Sequence, residues 1–433
     1  MDVTRDEIIE ILGDMDVKLP ANTKLPLDAL QQRLTRAIEL AQAPVTSDEV
    51  DPSKLKKWSI KASKKKPMID VMGAVTWKEA AMLMAPVGQR NPMEYINAFI
   101  SLRNAVVEIG VNWDEGSKLA VVEDEKMAYG FSMRIVDVYA LTDDIPVFIV
   151  VYEHGSGSLF SRRAGIHFLS EPVPGMKPGQ DGVEIKTTFL AQKLLLKVLE
   201  MNAKYLPESY APALRPNEKK HGHKISFLLP IVPLTMREIG SLSKDVGCFI
   251  CGNETASRCA GCQTVSYCGK VCQKADWARH KVECKNRSLE NGTWLEIPLS
   301  GMGYNGMFVQ SINKFSTVQG FGNDKLKADA TSKLRSDADG PPENVHGDAL
   351  FIIKIQVPPP GGMRAPIMIY DRQRSIEIYH RFDADRSGYE ALEETARRTG
   401  YLGQKIYRYA KRTGVKKLSI CLDREPSAEA TKW

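Results

Sequence analysis

Seven of the eight cysteines in this 433-residue chain fall within residues 248–284, together with one histidine. The spacing is C-x2-C-x7-C-x2-C-x5-C-x3-C-x7-H-x3-C, and the side chains are Cys248, Cys251, Cys259, Cys262, Cys268, Cys272, His280 and Cys284. Thiolate and imidazole groups are the donors that Zn²⁺ binds in tetrahedral sites of four. Eight donors therefore predict two zinc ions. Because no coordination position is left for water or substrate, both ions are expected to be structural.

The spacing also predicts the local backbone. Each C-x2-C pair suits a tight turn that directs two sulfurs at one ion, and Gly252 and Gly261 supply small residues at these turns. The C-x3-C and H-x3-C pairs are i, i+4, which places both side chains on one face of a helix. Spacing alone allows the donors to be divided between the two ions either in sequential or in interleaved order.

These residues resemble a MYND zinc finger, and positions between the donors agree with that family as well. The agreeing positions are Tyr267, Gln273, Asp276 and Trp277. The resemblance implies an interleaved arrangement. One ion would be held by Cys248, Cys251, Cys268 and Cys272, and the other by Cys259, Cys262, His280 and Cys284.

The resemblance further implies that the finger binds other proteins, through short proline-containing peptides. Gln273 and Trp277 match the peptide-binding positions of the family. In a helix they share one face, about 100° around the axis from Cys272, so that face is expected to point outward. The alternative role for Trp277 is packing inside the finger.

Charge also favours a protein partner. The whole chain has a formal net charge of +6, with 59 Lys and Arg against 53 Asp and Glu. Within the finger, thiolates and zinc ions bring the total close to neutral, whereas binding to phosphates depends on an excess of cations. Nucleic acid is therefore not expected to bind through the finger.

The remaining sequence indicates the cellular compartment and the domain organisation. The N-terminus lacks the basic and apolar regions of a secretory signal, and no apolar run is long enough to span a membrane. We expect a cytoplasmic or nuclear protein with no membrane partner. The predicted fold is multidomain α+β, with the finger between two α+β regions. The predicted parts are a helical N-terminal segment (1–44), a lysine-rich linker (45–69), an α+β domain (70–240), the finger (248–284) and a C-terminal α+β domain (290–433).

Hydrophobic periodicity predicts the elements within these parts. Helices are predicted at 5–13, 26–42, 93–110 and 183–206, and in two pieces within 389–414. Strands are predicted at 127–141, 146–155, 293–300, 349–358 and 417–423, with a hairpin at 367–382 and a loop at 319–348. The apolar run of the strand at 146–155 is continuous enough to predict burial on both faces. Cys421 falls in the last strand and is expected to be a buried packing residue. Three segments of the C-terminal region (FIIKIQVP, MIYDRQRSIEIY and KIYRYAKR) resemble the C-terminal half of uncharacterised fungal MYND-containing proteins, and this resemblance brings no known activity.

An enzyme is the competing class of function. Some MYND fingers occur within SET-domain lysine methyltransferases, but this chain has no Asn-His pair, and Cys421 is the only cysteine outside the finger. The six other histidines have no recognisable Ser or Cys partner motif, so we predict no catalytic residues. An enzyme with an unrecognised active site in a flanking domain is the alternative to an interaction protein.

Two further motifs have simpler interpretations. Residues 301–306 spell G-x-G-x-x-G, but no βαβ unit follows, so we interpret them as a glycine-rich turn. Residues 383–394 begin like a calcium-binding loop, with Asp383 first and Glu394 twelfth. Because Glu390 occupies an apolar position of that motif and a strand precedes it, we interpret the segment as a turn followed by a helix N-cap.

Overall fold

The structure is a computed structural model, and it divides the chain into two compact units. It describes residues 2–19, 23–42, 50–58, 67–84, 97–124, 129–156, 167–176, 180–243, 247–262, 265–286, 292–299, 314–322, 341–361, 364–426 and 428–431. The first unit comprises Met1–Asp16, Gln32–Thr235 and Asn313–Ala330, and the second comprises Val17–Gln31, Met236–Ile312 and Thr331–Trp433. The fold is α+β, as predicted, and residues 248–284 lie between α+β regions. The five-part domain division remains a prediction.

Helices and strands occur in both units. The helices are α1 (Arg5–Asp14), α2 (Leu27–Ala41), α3 (Met68–Met72), α4 (Trp77–Met84), α5 (Ala98–Glu115), α6 (Phe189–Ala203), α7 (Pro216–Lys220), α8 (Met236–Leu242), α9 (Lys270–Asn286) and α10 (Arg386–Thr399). The first group of strands is β1 (Lys56–Lys57), β2 (Ala74–Thr76), β3 (Leu119–Asp124), β4 (Tyr129–Thr142), β5 (Ile145–Ser156), β6 (Val183–Thr187) and β7 (Lys224–Leu228). The second group is β8 (Ser257–Arg258), β9 (Ser266–Tyr267), β10 (Trp294–Pro298), β11 (Thr317–Gly322), β12 (Phe351–Gln356), β13 (Ile367–Asp371), β14 (Glu377–His380), β15 (Lys405–Gly414) and β16 (Lys417–Cys421). Among the described helices, none is long and apolar enough to cross a membrane.

The first unit is built on a sheet in the order β6-β3-β4-β5-β7, with β1 also paired to β4. Among the described strand pairs of this sheet, only β3–β6 is parallel. Phe148 on β5 meets Trp113 of α5 edge-on, with ring centroids 6.0 Å apart. Its neighbours Val147 and Ile149 pack in a separate cluster with Phe227. Both faces of β5 are therefore covered, which confirms the prediction of a strand buried on both sides.

The predicted helix at 183–206 is wrong for its first five residues. These residues form β6, in which Ile185 and Thr187 are buried while Glu184 and Lys186 are exposed. The side chain of Thr188 then accepts a hydrogen bond from the Ala191 amide and caps α6. Periodicity alone did not separate the strand from the helix, because β6 is short and its pairing partner β3 is distant in sequence.

Most of the other predictions for the N-terminal half of the chain are confirmed. Helices α1 and α2 occupy the two N-terminal helical segments, and α1 begins with a capping box between Thr4 and Glu7. The helix predicted at 93–110 begins at Ala98, after an Asn97 cap, and extends to Glu115. Residues 93–96 lie outside the described part of the chain.

The second unit contains an antiparallel sheet in the order β10-β16-β15-β12-β13-β14. Helix α10 contributes Tyr389, Leu392 and Ala396 to the core cluster that covers the sheet. The predicted strands and the hairpin of β13 and β14 are confirmed. Cys421 is fully buried at the end of β16, in agreement with a packing role.

Two predictions for this half of the chain are wrong. The second helical piece within 389–414 is strand β15, which pairs with β12 and β16 and has Ile406, Arg408 and Ala410 buried. Two-sided pairing overrides the local helical preference of this segment. The predicted loop at 319–348 begins inside β11, which belongs to the first unit and pairs with β2.

The two motifs outside the finger have different outcomes. The G-x-G-x-x-G segment lies outside the described residues. At 383–394 the predicted helix N-cap is confirmed, because Asp385 accepts a hydrogen bond from the Gly388 amide at 3.0 Å and α10 begins at the next residue.

Three polar side chains, Asp371, Ser375 and His346, meet at the turn of the β13–β14 hairpin. This cluster was not predicted from the sequence. Oδ2 of Asp371 accepts a hydrogen bond from Ser375 Oγ at 2.7 Å and lies 2.9 Å from His346 Nε2. Oδ1 of the same carboxylate accepts the Ile376 amide at 2.9 Å. A catalytic triad requires serine and carboxylate on different imidazole nitrogens, whereas both lie at Nε2 here. The cluster closes the hairpin turn.

A buried ion pair stabilises the first unit. The Glu218 side chain is 1% exposed, and its Oε2 accepts hydrogen bonds from Arg134 Nη2 at 2.7 Å and from the Arg215 amide at 2.8 Å. Burial alone would raise the pKa of Glu218, but these hydrogen bonds lower it from 4.5 to about 2. In the folded protein the Glu218 carboxylate therefore stays ionised at any pH above about 2.

Replacing Glu218 with Gln should destabilise the first unit by about 3 kcal/mol at neutral pH, because Arg134 keeps its charge in a buried position. Since the folded pKa lies below the unfolded one, the contribution is complete above pH 4.5 and is lost as the pH falls through about 2. Hydrogen exchange of the β4 amides, compared with wild type at each pH, measures this difference.

The matched control is Glu39→Gln, which breaks an ion pair with Arg36 whose side chain is 63% exposed. Its effect should stay within about 0.5 kcal/mol. Equal effects of the two substitutions would contradict a stabilising role for the Arg134–Glu218 pair.

Candidate metal centre

Three short elements position the cysteines and the histidine of residues 248–284. The first is a turn closed by the Gly252 amide, which donates to the Cys248 carbonyl at 2.8 Å. The second is the hairpin of β8 and β9, in which Ser257 pairs with Tyr267. The third is helix α9, which begins at Lys270. It confirms the helix predicted from the His280–Cys284 pair, whereas Cys268 of the Cys268–Cys272 pair lies before the helix.

These elements gather the eight donors into two groups in which all ligand atoms lie within 4.8 Å of one another. The first group is Cys248, Cys251, Cys268 and Cys272. The second group is Cys259, Cys262, His280 and Cys284. The grouping is interleaved along the chain, which is the alternative that the family resemblance implied.

The separations fit tetrahedral zinc. With Zn–S bonds of about 2.3 Å, the sulfurs of a tetrahedral site lie about 3.8 Å apart. In the first group the Cys251–Cys268, Cys268–Cys272 and Cys251–Cys272 sulfurs are 3.5, 3.6 and 3.8 Å apart. In the second group Cys259 and Cys284 are 3.7 Å apart, and Nε2 of His280 is 3.4 Å from the Cys262 sulfur. The two clusters are consistent with two structural zinc ions.

The two groups differ in exposure. Cys259, Cys262 and His280 are buried, whereas Cys251 and Cys268 are exposed. The second group is therefore the more deeply buried of the two, since in the first group only Cys248 is buried.

The thiols within each group do not ionise equally. Although burial favours the neutral thiol, backbone amides lower the pKa of Cys248 to about 6. The hydrogen bond with Cys268 raises the pKa of Cys272 to about 12. Burial and the Cys259 sulfur likewise raise the pKa of Cys284 to about 12. Thiolates this close repel one another, and a divalent cation offsets that repulsion.

A segment far away in sequence packs on the first turn. Gly252 has φ of 79°, and a Cβ atom there would lie 1.7 Å from the Lys24 carbonyl oxygen. Lys24 Nζ also donates to the Ile250 carbonyl at 3.1 Å, and Leu25 is fully buried. Gly252 thus serves both the turn and this close approach. No sequence signal indicates the role of Lys24 and Leu25, because 226 positions separate Lys24 from Ile250.

Asp276 is the polar centre of the helical half of the finger. It is buried and accepts a hydrogen bond from Tyr267 Oη at 2.6 Å and two from Arg279, at 2.6 and 2.8 Å. The Arg279 hydrogen bonds hold the pKa of Asp276 below its usual value. Arg279 also lies over the Phe249 ring, 4.4 Å from its centroid. This network ties α9 to β9 and to the first turn.

His280 lies between two aromatic rings. The Tyr267 and Trp277 rings meet it edge-on, with centroids 5.8 and 6.2 Å away. His280 is fully buried, and its Nδ1 has no hydrogen-bond partner among the described residues. With Nε2 directed at the Cys262 sulfur, the imidazole faces the second group of donors through that nitrogen.

Gln273 and Trp277 share one face of α9, and Trp277 is 42% exposed. The expectation that this face points away from the donors is correct for Cys272 but not for His280. Trp277 precedes His280 by three residues, which is about 60° around the helix axis. The indole therefore packs against His280 and remains partly exposed to solvent.

Comparisons with known proteins agree with this geometry. Residues 248–284 match the MYND finger family. The SET domain and MYND-type zinc finger protein 6 of Schizosaccharomyces pombe is 49% identical over 49 residues, which are 10% of each chain. Histone-lysine N-methyltransferase ASHR1 of Arabidopsis thaliana is 47% identical over 45 residues, 10% of this chain and 9% of that protein. Ubiquitin carboxyl-terminal hydrolase 19 of the same plant is 40% identical over 45 residues, 10% of this chain and 7% of that protein.

These matches concern the finger region alone. The chain covers about a tenth or less of the length of the curated relatives it matches. No solved structure matches the chain. The chain thus carries a MYND zinc finger, which is a protein-interaction module, and the activities in the relatives' names are properties of those proteins.

Elemental analysis of the reduced, metal-replete protein should find two zinc ions per chain, with one or fewer in the Cys259→Ser variant. Structural zinc supplies about 10 kcal/mol or more of folding free energy per ion. Limited proteolysis should therefore cut the variant within the finger. The antiparallel sheet of the second unit, which runs from β10 to β14 in the order given above, should stay protected from the protease, because its core cluster contains no finger residue.

The control for this experiment is Cys421→Ala, which removes the cysteine outside the finger and should leave two zinc ions bound. One zinc ion or none in the wild-type protein would contradict the two-ion interpretation. If the antiparallel sheet of the second unit also lost its protection from proteolysis in Cys259→Ser, the finger and the sheet would share one cooperative core.

Proposed function

We propose that this protein acts through its finger as a zinc-dependent interaction protein that binds short proline-containing peptides at Gln273 and Trp277. The observation that carries the proposal is the half-exposed indole of Trp277 beside the buried donor His280. Zinc has a structural role in this function, since it holds the helix that presents the peptide-binding residues.

The zinc part of the proposal assigns all eight clustered side chains as ligands. The first ion is assigned to Cys248, Cys251, Cys268 and Cys272, and the second to Cys259, Cys262, His280 and Cys284. Distances of 3.4 to 3.8 Å between the donor atoms support four-coordinate ions. Four protein ligands saturate a tetrahedral zinc ion, which supports a structural role.

The peptide part rests on the chemistry of two neighbouring side chains. An exposed indole offers an apolar surface on which a proline ring can pack, and its N–H can donate to a peptide carbonyl. Gln273 is half-buried one helical turn away and adds an amide that can donate and accept. Contact between Trp277 and His280 keeps the indole in place, so little conformational entropy is lost when a peptide binds.

Trp277→Ala should weaken peptide binding by about thirtyfold or more while two zinc ions remain bound, because truncating an aromatic anchor costs about 2 kcal/mol. The probe is a proline-containing peptide selected on the wild-type, full-length protein from a random library of short peptides. Fluorescence anisotropy measures its affinity, and elemental analysis measures zinc in the same samples.

Tyr401→Ala is the matched control, since Tyr401 is an aromatic residue 72% exposed outside the finger. This substitution should change neither the peptide affinity nor the zinc content. Zinc loss in both Trp277→Ala and Trp277→Phe would mean that the indole is needed for the metal sites. Unchanged peptide affinity in Trp277→Ala, or a selection without enrichment of proline, would contradict the proposed binding surface.

A further inference from the structure

Helix α9 carries a second, apolar surface on the side opposite His280 and Cys284. Val271, Ala275, Ala278 and Val282 follow one another at spacings of four, three and four residues, which places them on one face. All four are exposed, Val271 to 83% and Val282 to 66%. We call these residues the outer face of α9. It is about 16 Å long, or three helical turns.

Lysines line one edge of the outer face. Lys274, Lys281 and Lys285 lie within about 100° of Val282 around the axis, all on the same side, and all are exposed. None of the three forms an ion pair with a carboxylate of the described residues. On the other edge, Arg279 is already engaged by Asp276. The outer face therefore combines an apolar centre with one basic edge.

The charge of the finger is separated between the two sides of α9. The thiolates of Cys272 and Cys284 belong to the donor groups, where four thiolates, or three and an imidazole, exceed the charge of one zinc ion. The lysines lie away from the donors. Although the net charge of the finger is close to zero, the lysine edge of the outer face is basic and can attract acidic groups.

From this pattern we infer that the outer face docks an acidic amphipathic helix of a partner protein. Apolar residues at helical spacing provide the surface on which such a helix packs, and the small side chains of Ala275 and Ala278 allow close approach. Lysines along one edge select a partner with Glu or Asp on the facing edge. An apolar centre is unsuited to a phosphate backbone, which requires cations along its track. This surface is separate from Trp277, which points to a different side of the helix.

The test uses the full-length protein and a fluorescein-labelled synthetic helix of about four turns. The peptide carries leucines at i, i+3, i+4 and i+7, and glutamates along one edge of the leucine face. A scrambled peptide, a peptide with lysines in place of the glutamates, and a short DNA duplex are measured alongside it. Anisotropy gives the affinities, circular dichroism gives the helicity gained on binding, and elemental analysis gives the zinc content.

Wild-type protein should bind the acidic peptide and raise its helicity. The double variant Val271→Gln, Val282→Gln should weaken binding by about tenfold or more. The double variant Lys274→Glu, Lys281→Glu should lose the acidic peptide and bind the lysine-containing one instead. Zinc content should stay the same, because glutamine, glutamate and lysine all have high helix propensity and none of these positions is a donor.

Two controls make the result specific. Val415→Gln, Lys416→Glu alters the same residue types at an exposed turn outside the finger, where Val415 is 72% exposed, and should bind like wild type. Trp277→Ala should also bind the acidic helix like wild type, so failure of this inference and failure of the proline-peptide proposal are distinguishable.

Four results would overturn the inference. They are no saturable binding of the acidic peptide, equal affinity for the scrambled peptide, equal loss in the Val415 and Lys416 control, and DNA binding that is tighter than peptide binding and abolished by the lysine substitutions. Light scattering adds one more. A wild-type dimer that dissociates on valine substitution would show that a second copy of this chain covers the outer face.

Discussion

The finger depends on bringing eight donor atoms into two groups that are each less than 5 Å across. So short a stretch cannot bury enough apolar surface to fold unaided, and its buried hydrophobic cluster consists mainly of the cysteines themselves with Tyr267. Metal coordination replaces the missing core. Because the grouping is interleaved, neither site can form without both halves of the finger, and the first turn, the hairpin and α9 are joined into one structure.

Besides the metal donors, the buried carboxylate of Asp276 also holds α9 in position. Its hydrogen bond from Tyr267 links the helix to the hairpin. Arg279, which donates to the same carboxylate within α9, lies over the Phe249 ring of the first turn. In this orientation α9 has three distinct sides. One carries donors, one carries the indole beside His280, and one carries the outer face with its lysine edge. A single helix of this kind can carry metal donors on one side and still present the two separate surfaces that we propose as binding sites.

The element predictions succeeded where the pattern was long and local. They failed at two junctions between a helix and a strand, and at the start of the predicted loop at 319–348. β5 was identified because an uninterrupted apolar run has few alternatives to a strand covered on both faces. β6 and β15 were assigned to helices because each adjoins a true helix and has no local signal of its pairing. Their partners β3, β12 and β16 are supplied by the tertiary structure. The hydrogen bonds of a sheet join residues far apart in sequence, and periodicity does not report them.

The sequence by itself determined the chemistry of the metal centre, since donor types and spacings identify two zinc clusters and a helical second half without any structure. It left the division of donors open, and the tertiary structure decided the interleaved grouping. Only the structure brought Lys24 against Gly252, placed Asp276 at the centre of its network and set the indole of Trp277 against His280. The reason is physical. Ligand identity depends on the chemistry of each side chain, whereas grouping, burial and shared faces depend on how separate segments pack, and packing is a property of the folded chain.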